Sequence, residues 1–197
     1  MTHVTGLYAL KPWYARRLRR IVARLDAQHI TANAVSATGV LFAGCAGAVI
    51  AFAPTGLISA GLVAAFLAAR LACANMDGTL ARRQAPRAFG GVVNELGDRL
   101  ADFALLAGLW PHLGWATSCV LLAAMLPSWA SLAVAAHGAP RPNGGPMGKT
   151  ERCLLGIVAV ASGWYAPIAL AIVVGSVATA IVRLSIGSRA LATGARS

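Results

Sequence analysis

Residues 34–77 read AVSATGVLFAGCAGAVIAFAPTGLISAGLVAAFLAARLACANMD. One charged residue, Arg70, interrupts the run before Asp77, and the strong break is Pro54–Thr55–Gly56. A helix crossing a bilayer needs roughly 20 apolar residues. Residues 34–53 and 56–76 both reach that length, so the stretch predicts two membrane helices joined by a tight turn. Lipid satisfies no backbone N–H or C=O, so such runs must bond internally as helices.

Working outward, four more candidates follow. Residues 91–110 begin with acidic residues and end before Pro111; residues 115–136 contain Pro127, which predicts a kink; residues 152–165 and 167–186 complete the set. Over 197 residues the composition is 58% apolar and 12% charged, against about 25% charged in soluble domains. Cys45, Cys73, Cys119 and Cys153 are scattered through apolar stretches without a CxxC pair and read as small buried hydrophobes. The expected fold class is an all-α integral membrane protein with six transmembrane helices.

The net charge of +11 raises nucleic acid as a partner. Nucleic-acid proteins carry their charge on polar surfaces, whereas here Lys and Arg sit between apolar runs, so no nucleic acid is expected and anionic membrane lipids are. Lys11, Arg16, Arg17, Arg19, Arg20 and Arg24 precede the first helix. Arg82, Arg83 and Arg87 fall between helices two and three, and Arg141, Lys149 and Arg152 between four and five. Arg189 and Arg196 follow the sixth, while Arg70, Arg99 and Arg183 lie inside helices near those same ends. The other three connections hold no Lys or Arg, so all 17 basic residues fall on one side. That asymmetry predicts six crossings with both termini cytoplasmic, as in a multi-pass protein of a bacterial inner membrane.

Residues 8–27 (YALKPWYARRLRRIVARLDA) read as an amphipathic helix on the membrane surface, with Trp13, Leu18, Ile21, Val22 and Leu25 as an apolar stripe beside five arginines. The expected organisation is a cytoplasmic N-terminal segment over residues 1–33 with this interfacial helix, a six-helix membrane domain over 34–187, and a cytoplasmic tail over 188–197. Residues 138–148 (GAPRPNGGPMG) are a Gly/Pro-rich loop.

Six acidic residues occur in the chain, and four of them, Asp77, Glu95, Asp98 and Asp102, lie within 26 residues. Helical spacing puts Asn94, Glu95, Asp98 and Asp102 on one broad face, and Asp77, ending the preceding helix, can face them across a hairpin. A carboxylate at mid-bilayer costs roughly 2.5–3.5 kcal/mol on insertion scales, so the cluster needs a reason. Pairing with Arg70, Arg82, Arg83 or Arg99 is one. The other is a hard divalent cation, Mg²⁺ or Mn²⁺, beside a phosphate or diphosphate substrate.

Residues 74–102 (ANMDGTLARRQAPRAFGGVVNELGDRLAD) resemble the signature of the CDP-alcohol phosphotransferase family, D-x-x-D-G-x-x-A-R followed by G-x-x-x-D-x-x-x-D. Asp77, Gly78, Ala81 and Arg82 fit the first part. Gly90 fits the second glycine one residue early, which puts Asn94 and Asp98 at the third and fourth acidic positions, with Arg99 and Asp102 completing a D-R-x-x-D run. Residues 29–36 (HITANAVS) are similar to the T-P-N-x-[LI]-[ST] element that opens the family's first helix, with Ala32 in place of Pro. Residues 148–152 (GKTER) resemble the run at the start of its fifth. Ala74 and Asn94 replace two of the four signature acids, with Asn75, Glu95 and Asp102 nearby.

The resemblance implies transfer of a phosphatidyl or related group from a CDP-linked donor, such as CDP-diacylglycerol, to an alcohol acceptor with release of CMP, in phospholipid biosynthesis. It implies Mg²⁺ or Mn²⁺ held by Asp77 and Asp98 with Asn94 or Glu95, and Asp98 as general base. It also implies a CDP moiety against Gly78, Ala81, Arg82 and Gly90, and phosphates of donor or acceptor near Lys149 and Arg152. A homodimer agrees with the family's habit. The replaced acids keep open a second reading, an inactive relative that binds CDP-lipid or assists a partner enzyme.

Overall fold

A computed structural model describes residues 11–84 and 89–194, with the backbone alone for residues 11–17. Residues 8–10, Arg87, Arg196 and the side chains of Lys11, Trp13, Arg16 and Arg17, on which parts of the surface-helix and sidedness readings fall, lie outside the described residues. Eight helices are present among the described residues: α1 Lys11–Ala27, α2 Ala32–Phe52, α3 Leu57–Ala81, α4 Gly90–Ala107, α5 Trp110–Leu113, α6 Ala116–Ala136, α7 Lys149–Ser162 and α8 Tyr165–Ala192. Four of them, α2, α3, α6 and α8, are long and apolar enough to cross a membrane. Helix α4 carries Glu95, Asp98, Arg99 and Asp102, and α7 has 14 residues, which sets these two apart from the four.

Several boundaries differ from the sequence reading, each for a local reason. Helix α3 does not end at Asp77 but continues one turn to Ala81; Leu80 in that turn is fully buried among Val22, Val35 and Cys73, which rewards the extra turn. Helix α4 stops at Ala107, and Pro111 stands in the first turn of α5 instead of ending the longer helix, a position where its missing N–H costs nothing. Helix α7 begins at Lys149 because the Glu151 carboxylate accepts the Gly148 N–H at 3.0 Å, one arm of a capping box. It ends on Gly163, whose φ of 74° is left-handed. Helix α8 continues to Ala192.

The chain divides into two compact units, Met1–Val49 with Gly61–Leu105 and Ile50–Ala60 with Leu106–Ser197. In the first unit, Ser36 of α2 meets Asp77 of α3, and Gly39 meets Cys73, so these helices run antiparallel. Gly97 of α4 lies opposite Ser36, and Gly47 lies against the Ala104 carbonyl, so α4 runs parallel to α2. Glycines at the contacts let the backbones approach closely. Helix α1 docks on the same unit: Val22 is buried with Val35, Cys73 and Leu80, and Leu25 and Met76 pack against that cluster. The apolar stripe expected for the membrane surface therefore splits. Val22 and Leu25 face protein, while Ile21 is exposed beside Arg19, Arg20 and Arg24.

In the second unit, α6 and α8 pack along their length, with Gly187 against the Val134 side chain. Arg183 of α8 donates to the Pro127 carbonyl (2.9 Å), the Ser131 hydroxyl (3.1 Å) and the Gly144 carbonyl (2.9 Å). The Gly/Pro-rich loop is thus pinned, with Ser131 donating to the Pro142 carbonyl at 2.8 Å and the Met147 N–H to Thr179 at 2.8 Å. His112 Nε2 donates to the Ile50 carbonyl at 2.8 Å while its ring stacks on Tyr165 at 3.6 Å. Trp110, Trp115, Trp164 and Phe52 are exposed at helix ends whose connections lack basic residues, the placement of an aromatic interface belt.

Candidate active site

The acid cluster is built on α3 and α4, with α2 as their brace. Asp77 is buried, and both its carboxylate oxygens have donors: Ser36 Oγ at 2.7 Å to Oδ2 and the Gly78 N–H at 2.6 Å to Oδ1. Both bonds fix the orientation of the carboxylate, since its oxygens accept from two different elements of the fold. Gly97 approaches Ser36, with 3.8 Å from a Cβ built at Gly97 to the Ser36 Cβ. Asp98, the next residue, therefore lies at the level of Ser36 and Asp77. The structure thus brings these two signature carboxylates to one level of the first unit.

Deeper on the same helices, Arg70 and Asp102 form an ion pair at 2.6 Å with side chains 1% and 2% exposed. This pair ties the antiparallel helices α3 and α4 together one to two turns away from Asp77 and Asp98. The position at which the resemblance has its first Asp holds the Ala74 methyl group, one turn before Asp77 on α3. Arg99 reaches Glu95 at 3.5 Å and Asp102 at 3.7 Å. Glu95 and Asp102 thus both stand within ion-pair distance of Arg99. Asn75, also near the missing acid, donates to the Leu71 carbonyl at 2.7 Å along its own helix.

The glycine-flanked element is ordered by side chains. Arg82 donates to Thr79 Oγ1 at 3.2 Å, and its Nη1 stands 3.7 Å from a Cβ built at Gly78, so the guanidinium folds back over the Gly78 backbone. Ala81 ends α3, and Gly90 begins α4, followed by exposed Asn94 and half-buried Glu95. Lys149 and Arg152 stand in the first turn of α7 in the second unit, Arg152 buried and Lys149 half-buried.

Sequence reasoning missed Gln84. Its Nε2 donates to the Ile30 carbonyl at 2.8 Å, and its Oε1 accepts the Ala32 N–H at 3.3 Å. One amide thereby ties the end of the signature helix to the turn that opens α2, across more than fifty residues. No local pattern announces such a clip. Thr31, in contrast, was readable: it accepts the Ala34 N–H at 3.2 Å, the bond of an N-cap.

All six acidic residues are among the described residues, and no three His, Cys, Asp or Glu side chains gather as a metal-holding group there. Asp77 and Asp98 with the Asn94 amide still suit a hard cation, because Mg²⁺ is ordinarily held by one or two carboxylates with substrate phosphates and water supplying the rest.

No family model matches the chain, and no curated protein matches it. Solved structures do. Mycobacterium tuberculosis phosphatidylinositol phosphate synthase (PgsA1) with CDP-DAG bound aligns at a TM-score of 0.63 and 20% identity, covering 87% of this chain and 91% of that one. The same enzyme with manganese and citrate aligns at 0.66 and 22%, covering 85% and 87%. Its apo form aligns at 0.61 and 19%, covering 88% and 95%. The chain has the fold of this phosphatidylinositol phosphate synthase.

Proposed function

We propose that the chain is an integral membrane CDP-alcohol phosphotransferase that moves a phosphatidyl group from CDP-diacylglycerol, or a related CDP-linked donor, to a polar alcohol with release of CMP. The observation that carries this reading is the α3–α4 hairpin. It presents Asp77, Gly78 and Ala81 on one helix, Arg82 in the turn that follows it and Asp98 on the other helix, in a fold shared with a synthase solved with CDP-DAG bound. Six crossings with cytoplasmic termini agree with the one-sided basic residues, α4 and α7 being the two less apolar spans. A homodimer, with small-residue helices in contact, belongs to the same reading.

Each residue has a task in that reaction. Asp98 accepts the proton of the attacking hydroxyl as its oxygen bonds to the lipid-bearing phosphorus. The bond from that phosphorus to the CMP phosphate oxygen breaks, and the electron pair leaves with CMP. Asp77, held by Ser36 and the Gly78 N–H, presents its carboxylate in a fixed orientation. Gly78, Ala81 and Gly90 let backbone approach the nucleotide, and Arg82 over Gly78 faces its phosphates. Lys149 and Arg152 bind phosphate of donor or acceptor. Asp77 and Asp98 with Asn94 would hold Mg²⁺ or Mn²⁺, which would supply positive charge against the diphosphate; Glu95, beside Arg99, is the weaker candidate for that set.

Ala74 and Asn94 favour a second reading, a CDP-lipid-binding relative without turnover. Purified protein in liposomes with CDP-diacylglycerol, Mg²⁺ or Mn²⁺ and a pool of polar alcohols separates the two. Metal-dependent CMP release that vanishes in Asp98→Asn supports the enzyme. CDP-lipid binding without release supports the binder, and neither removes the donor assignment.

A further inference from the structure

Helix α1 is joined to α2 by the four residues between Ala27 and Ala32, and α2 is a candidate membrane span. The connection spans at most roughly 17 Å, and Val22 packing on Val35, in the first turn of α2, keeps α1 beside the end of that span, where bilayer surface charge acts over roughly 8–10 Å at physiological salt. Its apolar side is already used. Val22 is 1% exposed and packs with Cys73 and Leu80 of α3, and Met76, the residue before Asp77, lies against the same cluster. What α1 leaves outward is Arg19, Arg20 and Arg24, with Ile21 between them. The one acid of the described part of this helix, Asp26, is half-buried. A surface of this charge at this depth fits anionic phospholipid headgroups.

We infer that the arginine face of α1 binds the anionic lipid of the bilayer surface, and that this contact presses Val22 onto the helix carrying Asp77. Lipid charge thereby sets how firmly the signature end of α3 is held. The lipid contact stands on the geometry of α1 alone; its effect on turnover rests on the phosphotransferase reading.

Hydrogen–deuterium exchange of the full chain in nanodiscs tests the contact without turnover. Discs of phosphatidylcholine are compared with discs containing about a third phosphatidylglycerol. The amides of residues 18–27 and of the last turn of α3 should exchange at least threefold more slowly in the anionic discs, and 0.5 M salt should remove the difference. Arg19→Gln/Arg20→Gln/Arg24→Gln should exchange alike in both discs, while the triple Lys variant keeps the protection. Equal exchange of the wild type in both discs overturns the inference. So does protection that appears only with an added acidic polymer, which assigns the face to another partner. CMP release is followed in parallel in the same discs. Release indifferent to lipid charge, with α1 protected, overturns the coupling and leaves the enzyme reading intact. No release in either disc, with α1 protected, overturns the enzyme reading and leaves the lipid contact intact.

Discussion

Ser36 Oγ donates to Asp77 Oδ2 at 2.7 Å across 41 residues of chain, joining the element that opens α2 to the signature acid of α3. A hydrogen bond to a charged group contributes about 1.5–3 kcal/mol. Ser36→Ala should therefore lower CMP release by about tenfold, with the helical circular dichroism unchanged, and Ser36→Thr should restore most of it. Wild-type turnover in Ser36→Ala would show that the carboxylate is held without the Ser36 bond.

Glu95 and Asp98 stand three residues apart on α4 and differ in their surroundings. Glu95 is drawn to Arg99 at 3.5 Å, whereas Asp98 lies at the level of Asp77. Glu95→Gln should keep CMP release within about threefold of wild type, while Asp98→Asn should lose at least two orders of magnitude, as expected on removing a general base. Equal losses in the two variants would move Glu95 into the reacting set.

The buried Arg70–Asp102 pair predicts a stability effect larger than any at the surface. Removing one partner of a buried ion pair costs about 3–5 kcal/mol, because the other charge stays in a medium that cannot solvate it. Asp102→Asn and Arg70→Met should each lower the detergent-solution melting temperature sharply, and Arg70→Met/Asp102→Leu should recover part of the loss. Arg99→Gln, with its side chain 20% exposed and contacts of 3.5 and 3.7 Å, should cost less than about 1 kcal/mol.

Much of this architecture was legible because lipid imposes a simple grammar. Apolar runs of spanning length, broken at Pro54, Pro111 and Pro167, located α2, α3, α6 and α8 to within a few residues, except where α8 runs on to Ala192. The helix ends were less legible, since the last turn of α3 depends on Leu80 meeting Val22, a contact between distant segments. The same limit applies to the site. The sequence placed the acids and offered Arg70, Arg82, Arg83 and Arg99 as partners, but not which of them would pair or with which acid. Helical spacing puts Glu95, Asp98 and Asp102 on one face whether they bind a metal or an arginine. The Gln84 clip had no signal at all, because an amide gives no hint of charge or period.

Two glycines one turn apart on α2 provide a matched test of the close α2–α4 packing. A Cβ at Gly47 would collide with the Ala104 carbonyl and stand 3.3 Å from that of Leu105, whereas one at Gly44 meets nothing within 4 Å. Backbone carbonyls of a helix cannot step aside, so Gly47→Ala should destabilise by about 1–3 kcal/mol. Gly44→Ala should be neutral or stabilising by up to about 1 kcal/mol from helix propensity. Thermal unfolding in one detergent measures both. Indifference at Gly47 would mean that α2 and α4 sit further apart.

Arg183 supplies the last test, on the loop between α6 and α7. Its guanidinium donates to Gly144, Pro127 and Ser131, so a single side chain ties the loop to two helices. Arg183→Gln cannot span the same acceptors, while Arg183→Lys keeps the charge but not the planar fork that reaches several at once. Both should speed hydrogen exchange over residues 143–148, with the Met147 amide, bonded to Thr179 at 2.8 Å, as the reporter. An increase of about tenfold corresponds to a loss of about 1.4 kcal/mol of local stability. If Lys slows exchange back to wild type, charge alone holds the loop. If both variants open it equally, the fork geometry does, and the Gly/Pro-rich composition then sets the path of the loop while Arg183 sets its order.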